Sequence, residues 1–114
     1  MNQAPQIVIH FKDFPPDDSV REHLEARCQH LSTEFPEVTS FEIHMSGELE
    51  SPECHGHVSG KRTRADAKVD QATNLRHAGD QLLDKLEREL RRDHDKRIFG
   101  PRREAQKARA KRSV

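Results

Sequence analysis

The stretch LRHAGDQLLDKLERELRRDHDKR, residues 75–97, is the longest uninterrupted helical pattern in the chain. Its leucines and one glycine recur at spacings of three or four residues and so share one face of an α-helix: Leu75, Gly79, Leu82, Leu86 and Leu90. A helix with one apolar face needs another element to cover that face. The stretch therefore predicts a long helix packed on the rest of the chain, with Gly79 allowing a close approach to a neighbouring element.

The charges on the rest of this helix are sorted by sign. One side, called the basic flank below, carries Lys85, Arg88, Arg92 and Lys96. Another side carries Asp80, Asp84 and Glu87. A solvated amphipathic helix with pairs at i and i+4 is one interpretation of this pattern. A surface that binds an anionic partner is the other.

Four segments before the long helix alternate between apolar and polar residues, as half-buried strands do: residues 6–11, 38–46, 54–60 and 64–70. Between the first two, Val20, Leu24, Cys28 and Leu31 have helical spacing, which predicts a helix over residues 19–33. Asp17, Asp18 and Ser19 supply N-cap chemistry at its start, and Glu22 lies three residues after Ser19, as in a capping box. Thr73 or Asn74 is the predicted cap of the long helix.

The order β-α-β-β-β-α predicts an α+β fold. Each strand has one apolar face and each helix one apolar stripe, so we expect a two-layer sandwich with both helices on one face of a four-stranded mixed sheet. The first β-α-β unit is expected to pair its strands in parallel through a right-handed crossover. The last three strands are expected to form an antiparallel meander.

Residues 1–98 are predicted to form one α+β domain, and residues 99–114 a separate basic segment. Gly100 and Pro101 are expected to end the helix. Residues 102–114 hold six basic side chains and one acidic one, with little apolar content beyond alanine. Such a segment is expected to be disordered when free and helical when bound to a polyanion.

Charge is distributed unevenly although the 114-residue chain has a formal net charge of +0. Residues 1–60 hold three Lys/Arg against eleven Asp/Glu, whereas residues 61–114 hold seventeen against nine. The basic half favours a polyanionic partner. No apolar run approaches the ~18 residues of a membrane span, and the start of the chain lacks the features of a signal peptide. With two cysteines, these features predict a cytoplasmic protein with reduced thiols.

No motif for catalysis stands out. The chain has no G-x-S-x-G elbow, P-loop or G-x-G-x-x-G sequence, and Cys28 lies on an apolar helical stripe, where a core thiol is expected. The sequence therefore predicts neither an enzyme nor a cofactor or small-molecule substrate.

Four histidines are expected on the polar face of the sheet: His10, His44, His55 and His57. Such a patch could bind zinc or nickel, and a metal-binding or metal-responsive protein is the alternative interpretation of the chain. Cys54 belongs to the opposite face of its strand, and the closed ligand spacing of a structural zinc site is missing. A resident metal is therefore not predicted, and polar residues on a solvent-exposed sheet face are the default explanation of the pattern.

Nucleic-acid binding is the interpretation that the basic residues favour. They form a turn, the basic flank and the last segment, and the candidate contacts outside the flank are Lys61, Arg62, Arg64, Arg97, Arg102 and Arg103. Aromatic residues do not interleave with them, so stacking on single-stranded bases is not expected. A surface of this kind recognises phosphates and shape, as in folded RNA.

The run LLDKLERELRR, residues 82–92, resembles the closing helix of the ribosome hibernation-promoting factor family, which includes the ribosome-associated inhibitor called protein Y. SVREHLEARCQHL, residues 19–31, is similar to the first helix of that family, and HVSGK, residues 57–61, to its third strand and turn. Residues 38–43 resemble the strand after the first helix. The resemblance covers residues 7–97 and implies the same β-α-β-β-β-α order.

The resemblance implies a factor that binds the small ribosomal subunit and its ribosomal RNA, fills the channel of the messenger and transfer RNAs, and blocks translation in stress or stationary phase. The free chain is expected to be monomeric. By position, the basic flank would contact phosphates, joined by Arg91, Arg97 and, on the first helix, Arg27. Three features depart from the family pattern: His30 and Thr33 stand where lysines are common, the loop over residues 48–53 is acidic, and the last segment is basic.

Overall fold

The computed structural model describes the backbone of residues 4–112 and the side chains of residues 4–95. Its elements follow the order β1 Gln6–Phe11, α1 Asp18–Glu34, β2 Val38–Glu48, β3 Ser51–Gly60, β4 Thr63–Val69 and α2 Leu75–Arg112. The four strands form one sheet in the order β1-β2-β3-β4. β1 pairs in parallel with β2, and the two later pairs are antiparallel. The predicted α+β fold and the predicted meander are both confirmed.

One face of the sheet is buried under the helices and the other is polar. Phe41, Ile43 and Met45 of β2 are at most 1% exposed, and Cys54 and Val58 of β3 line up beside them. The intervening residues of the same strands point to the opposite face and are exposed or half-buried. The alternation along each strand therefore fixes which side the helices cover.

The helices contribute a leucine-rich layer to this core. Four leucines of α2 are 0% exposed: Leu82, Leu83, Leu86 and Leu90. The stripe predicted from the sequence does not include Leu83, so the buried face of the helix is wider than predicted. Burying such a side chain contributes about 1.5–3 kcal/mol to stability. These leucines fix the rotation of α2 about its axis and hence the direction of its other side chains up to Asp95.

Gly79 lets the two helices approach closely, as predicted. A Cβ atom at this position would lie 2.6 Å from Cδ2 of Leu24 on α1, which is shorter than any normal carbon contact. Gly56 plays the same part between β3 and α2, since its Cβ would lie 2.8 Å from Cδ2 of Leu82. Both helices are thereby held against the sheet and against each other.

The ends of three elements differ from the sequence expectations. Asp17, not Ser19, caps α1, because its side chain accepts a hydrogen bond from the backbone N–H of Val20. The acidic loop predicted over residues 48–53 is mostly paired, with Glu48 opposite Ser51 and only Leu49 and Glu50 left in the turn. For α2, one of the two predicted caps is confirmed, because Asn74 accepts a hydrogen bond from the backbone N–H of His77.

The predicted end of the long helix at Gly100 and Pro101 is wrong. The helix α2 continues through both residues to Arg112, so residues 99–112, predicted to be disordered when free, are helical. Proline removes one backbone hydrogen bond from a helix, but residues 102–112 consist almost entirely of Ala, Arg, Lys, Gln and Glu, which have high helix propensity. The division of the chain into a domain over residues 1–98 and a separate segment over residues 99–114 stays a prediction.

Candidate nucleic-acid interface

Three residues of the basic flank project from α2 into solvent. Lys85, Arg88 and Arg92 are exposed, while Leu86 and Leu90 between them are 0% exposed. The spacing of three and then four residues aligns the three cations along about 10 Å of helix. Burial of the leucines thus places a row of positive charge on the outside of the domain.

The row borders a groove between α2 and the edge strand β4. The groove is lined by Asp66, Ala67, Lys68, Lys85, Arg88, Glu89 and Arg92. Its four cations outnumber its two carboxylates, so its net charge is positive. The Nζ atom of Lys85 donates a hydrogen bond of 2.8 Å to the backbone oxygen of Lys68. Lys85 therefore also satisfies a carbonyl on the outer side of β4, where no further strand pairs.

Arg88 and Arg92 are the cations of this groove that nearby carboxylates neutralise least. The guanidinium of Arg92 lies 3.4 Å from Glu89 in an exposed pair, and exposed pairs of this kind contribute little free energy. Arg88 has no ion-pair partner among residues 4–95. Both guanidinium groups are accordingly available to a phosphate, which they can contact with two parallel hydrogen bonds.

The turn between β3 and β4 adds cations near the far end of this row. Thr63 begins β4 and donates a 2.8 Å hydrogen bond to Asp93 of α2, which ties the turn to the helix one residue beyond Arg92. Arg64 has an 81% exposed side chain. In the turn itself the backbone φ angle of Arg62 is 60°, which lies in the left-handed region that non-glycine residues seldom occupy. The hairpin thus brings the predicted residues Lys61, Arg62 and Arg64 to the end of the domain where the flank continues.

Arg27, predicted to contact RNA, lies on the opposite flank of α2 and joins the two helices. Its Nη1 atom donates to Asp80 Oδ1 at 3.0 Å, and Nη2 donates to Asp84 Oδ1 at 2.9 Å. His23 lies 2.8 Å from the same oxygen of Asp80. The side chain of Arg27 is only 28% exposed. This geometry favours a structural role for Arg27, and its assignment to RNA stays a prediction.

Asp80 is the centre of that bridge. Burial opposes its ionisation, but hydrogen bonds from His23 and Arg27 outweigh burial, and the pKa of Asp80 lies below its ordinary value of 3.8. A lowered pKa means that the unfolded chain binds the proton more readily than the folded one. The stabilising contribution is therefore fully present above the unfolded pKa and is lost as the pH falls through the folded pKa.

We expect Asp80→Asn to lower the melting temperature at neutral pH and to flatten its decline as the pH falls below the ordinary pKa of 3.8, because the amide cannot ionise. Thermal unfolding followed by circular dichroism across that range measures both effects. Asp70→Asn is the matched control, since Asp70 is exposed and has no ion-pair partner within the described side chains. Equal acid sensitivity of Asp80→Asn and the unaltered chain would contradict the role of this bridge.

Arg91 is also engaged on the side that faces α1. Its Nη2 atom lies 3.2 Å from Glu34 of α1 and 3.3 Å from Glu87 of α2, and its guanidinium stands 5.6 Å from the ring centroid of Phe35. Contacts of this kind orient the side chain across the helix pair. Arg91 thus has two carboxylate partners, whereas Arg88 has none among the described residues, and the assignment of Arg91 to RNA stays a prediction.

The thiols are buried and unreactive. Cys28 and Cys54 are each 0% exposed, and burial raises the pKa of each thiol to about 12. The expectation that Cys28 belongs to the core is confirmed. A protonated, inaccessible thiol does not serve as a nucleophile.

Comparison with known proteins identifies the family. Residues 7–98 match the family described as sigma 54 modulation protein / S30EA ribosomal protein. The chain belongs to this family. S30EA proteins are ribosome-associated binding proteins, which agrees with the predicted resemblance to hibernation factors. No curated protein sequence matches the chain.

Solved structures show the S30EA fold in other organisms. A ribosomal subunit interface protein from Coxiella burnetii is 16% identical, with a TM-score of 0.68 over 76% of this chain and 94% of that one. The N-terminal domain of Protein Y from Thermus thermophilus is 17% identical, with a TM-score of 0.66 over 77% of this chain and 97% of that one. At these identities the likeness concerns the fold.

One basic residue of the groove in this S30EA protein was not predicted, and the side chains of four predicted residues lie outside the described part of the chain. Lys68 lines the groove but was not among the predicted contacts, although its alternation with inward-facing Ala67 and Val69 could have placed it at the surface. Conversely, four predicted residues belong to the helical backbone of α2, but their side chains lie outside the described residues: Lys96, Arg97, Arg102 and Arg103.

Among the described residues, neither helix has the length and apolar character that a membrane span requires.

Proposed function

We propose that this S30EA protein is a non-enzymatic cytoplasmic factor that binds the ribosomal RNA of the small ribosomal subunit. In this proposal it occupies the channel of the messenger and transfer RNAs and inhibits translation during stress or stationary phase. Ribosome association follows from the family, whereas the subunit, the channel and the inhibition are the parts proposed.

The observation that carries the proposal is the exposed row of Lys85, Arg88 and Arg92 beside the groove at β4. Among its cations, Arg88 and Arg92 are not held in a partly buried ion-pair bridge, unlike Arg27, which joins two carboxylates of α2. Counterions released from phosphates by such a row supply binding free energy that does not depend on base sequence. A preformed row on a packed helix loses little conformational entropy when it docks.

The aromatic residues support recognition of folded RNA over single strands. Phe35 and Phe41 are at most 2% exposed, and Phe11 and Phe14 are half-buried against the core. None of these four rings is free to stack on an unpaired base. Contact with phosphates and with the shape of an RNA helix is what the described surface offers.

Co-sedimentation with purified ribosomal subunits tests the proposal. We expect the full chain to pellet with small subunits and not with large subunits, and to be excluded when messenger RNA and initiator transfer RNA are bound first, because they would occupy the same channel. Addition of the protein to a translation extract should then reduce peptide synthesis. Binding to small subunits that is unaffected by messenger and transfer RNA would place the protein outside the channel.

A further inference from the structure

The uncovered face of the sheet carries a row of histidines that the basic surface does not involve. In the strand register His10 of β1 is opposite His44 of β2, and His44 is opposite His55 of β3. The His10 and His44 rings stack with centroids 4.8 Å apart, and the His44 and His55 centroids are 6.0 Å apart. The register of three strands thus gathers imidazoles that the sequence separates by up to 45 positions.

Within this row three side chains converge closely enough to share one ion. His10, Glu42 and His44 each offer a ligand atom, and these atoms all lie within 4.8 Å of one another. The closest pair joins His44 Nε2 to Glu42 Oε1 at 2.8 Å. Metal–ligand bonds of about 2.0–2.1 Å in a tetrahedron separate the ligand atoms by about 3.3 Å. Separations of up to 4.8 Å must therefore close by up to about 1.5 Å, and the stacked imidazoles must turn so that one nitrogen of each faces the ion. His10 and Glu42 are exposed and His44 is half-buried, so their side-chain torsions are open to that adjustment.

We propose that His10, Glu42 and His44 form a binding site for a divalent transition-metal ion of the zinc class, with water completing the coordination. Two imidazoles and one carboxylate are ligands that suit zinc and its neighbours better than magnesium. The site bridges β1 and β2, so an ion bound there links the edge strand to the rest of the sheet. This site is independent of the surface proposed to bind RNA.

Three neighbouring candidates stand outside the converging group, and one of them, His55, has its ring centroid 6.0 Å from that of His44. His57 Nδ1 is hydrogen-bonded to Asp66 of β4, and that carboxylate has a lowered pKa, chiefly because it accepts from His57. Cys54 points to the buried face and is 0% exposed. The site therefore belongs to β1 and β2, not to the Cys54-His55-x-His57 segment that first stands out in the sequence.

Calorimetric titration of the full chain with Zn²⁺ in a non-chelating buffer, together with NMR of the imidazole nitrogens, tests the site. We expect saturation at one equivalent and shifts of the His10 and His44 ring signals. His10→Gln and His44→Gln should each weaken binding about tenfold or more, because each removes a nitrogen ligand. Mg²⁺ at the same concentration should leave both rings unshifted.

Matched controls separate this site from other histidines. His30→Gln alters an exposed histidine of α1, and His57→Gln alters a neighbour on the same face that is paired with Asp66. Neither should change zinc affinity more than about twofold. Zinc should also raise the melting temperature of the unaltered chain but not that of His10→Gln, since an ion that binds only the folded state stabilises it.

The proposal is overturned if no saturable binding occurs, or if binding survives both His10→Gln and His44→Gln. It is equally overturned if His55→Gln abolishes binding while His10→Gln does not, which would move the ion to β2 and β3. All these variants alter exposed or half-buried side chains, and circular dichroism checks that each one folds. The experiment uses no ribosomes, so its result is distinct from that of the co-sedimentation assay.

Discussion

Replacement of Arg88 and Arg92 together by glutamate is expected to weaken binding to small ribosomal subunits about a hundredfold, which corresponds to about 2.7 kcal/mol. The change removes two phosphate contacts and adds two charges that the phosphates repel. Both side chains are exposed and neither belongs to the leucine core, so the variant should fold normally. Affinity measured by co-sedimentation at several salt concentrations gives both the loss and its electrostatic origin.

The dependence of the affinity on salt concentration provides a second, independent test of the phosphate contacts. Each phosphate contact contributes about 0.7–0.9 to the slope of log affinity against log salt, so the double variant should lose about 1.4–1.8 from that slope. Lys12→Glu combined with Arg76→Glu is the matched control, because it makes the same change in net charge at exposed positions away from the basic flank. If the control weakens binding as much as the flank variant, net charge and not the flank governs the interaction.

Gly60→Ala is expected to destabilise the domain by about 3 kcal/mol, at the upper end of the usual cost of overpacking. A Cβ atom at Gly60 would lie 2.0 Å from the backbone oxygen of Glu37 and 2.7 Å from Cα of Val38. Both obstacles are backbone atoms, so no side-chain rotation relieves the collision. The same oxygen of Glu37 accepts a 2.9 Å hydrogen bond from the N–H of Lys61, which the required movement would disturb.

Urea unfolding of Gly60→Ala against Ser59→Ala measures this cost. Ser59 is the neighbouring residue, is exposed, and shares a 2.6 Å hydrogen bond with Ser40. Loss of that exposed bond should cost no more than about 1 kcal/mol. Similar midpoints for the two variants would show that the start of β2 adjusts to the added methyl group without penalty.

The fold was predictable because its determinants are local. Alternation in four short segments and leucine spacing in two helices specify which faces are apolar, and the short connections leave few ways to cover them. The helix end predicted at Gly100 and Pro101 is wrong because the eleven residues after Pro101 have high helix propensity, which offsets one lost hydrogen bond. The sequence cannot single out Asp17 as the cap of α1, because three successive residues offer the same capping chemistry.

The site was predictable only in part, because charge pairing depends on tertiary contacts. Periodicity correctly separated Lys85, Arg88 and Arg92 from Asp80 and Asp84. It could not show that Arg27, 53 residues before Asp80, reaches across from α1 to those two carboxylates. Whether a cation is available to a ligand depends on which residues the packed helices bring opposite each other.

That bridge between α1 and α2 has a consequence for how the protein approaches its partner. Arg27 and Arg91 are paired with carboxylates on one side of α2, while Arg88 and Arg92 on the other side are neutralised far less. Within the described side chains, uncompensated positive charge is therefore concentrated on one flank of α2, although the whole chain has a formal net charge of +0. We expect this asymmetry to orient the protein in the field of the RNA that we propose as its partner, so that the cationic flank arrives first. We expect the low net charge to keep attraction to other nucleic acid weak, so that orientation and not overall attraction governs productive encounters.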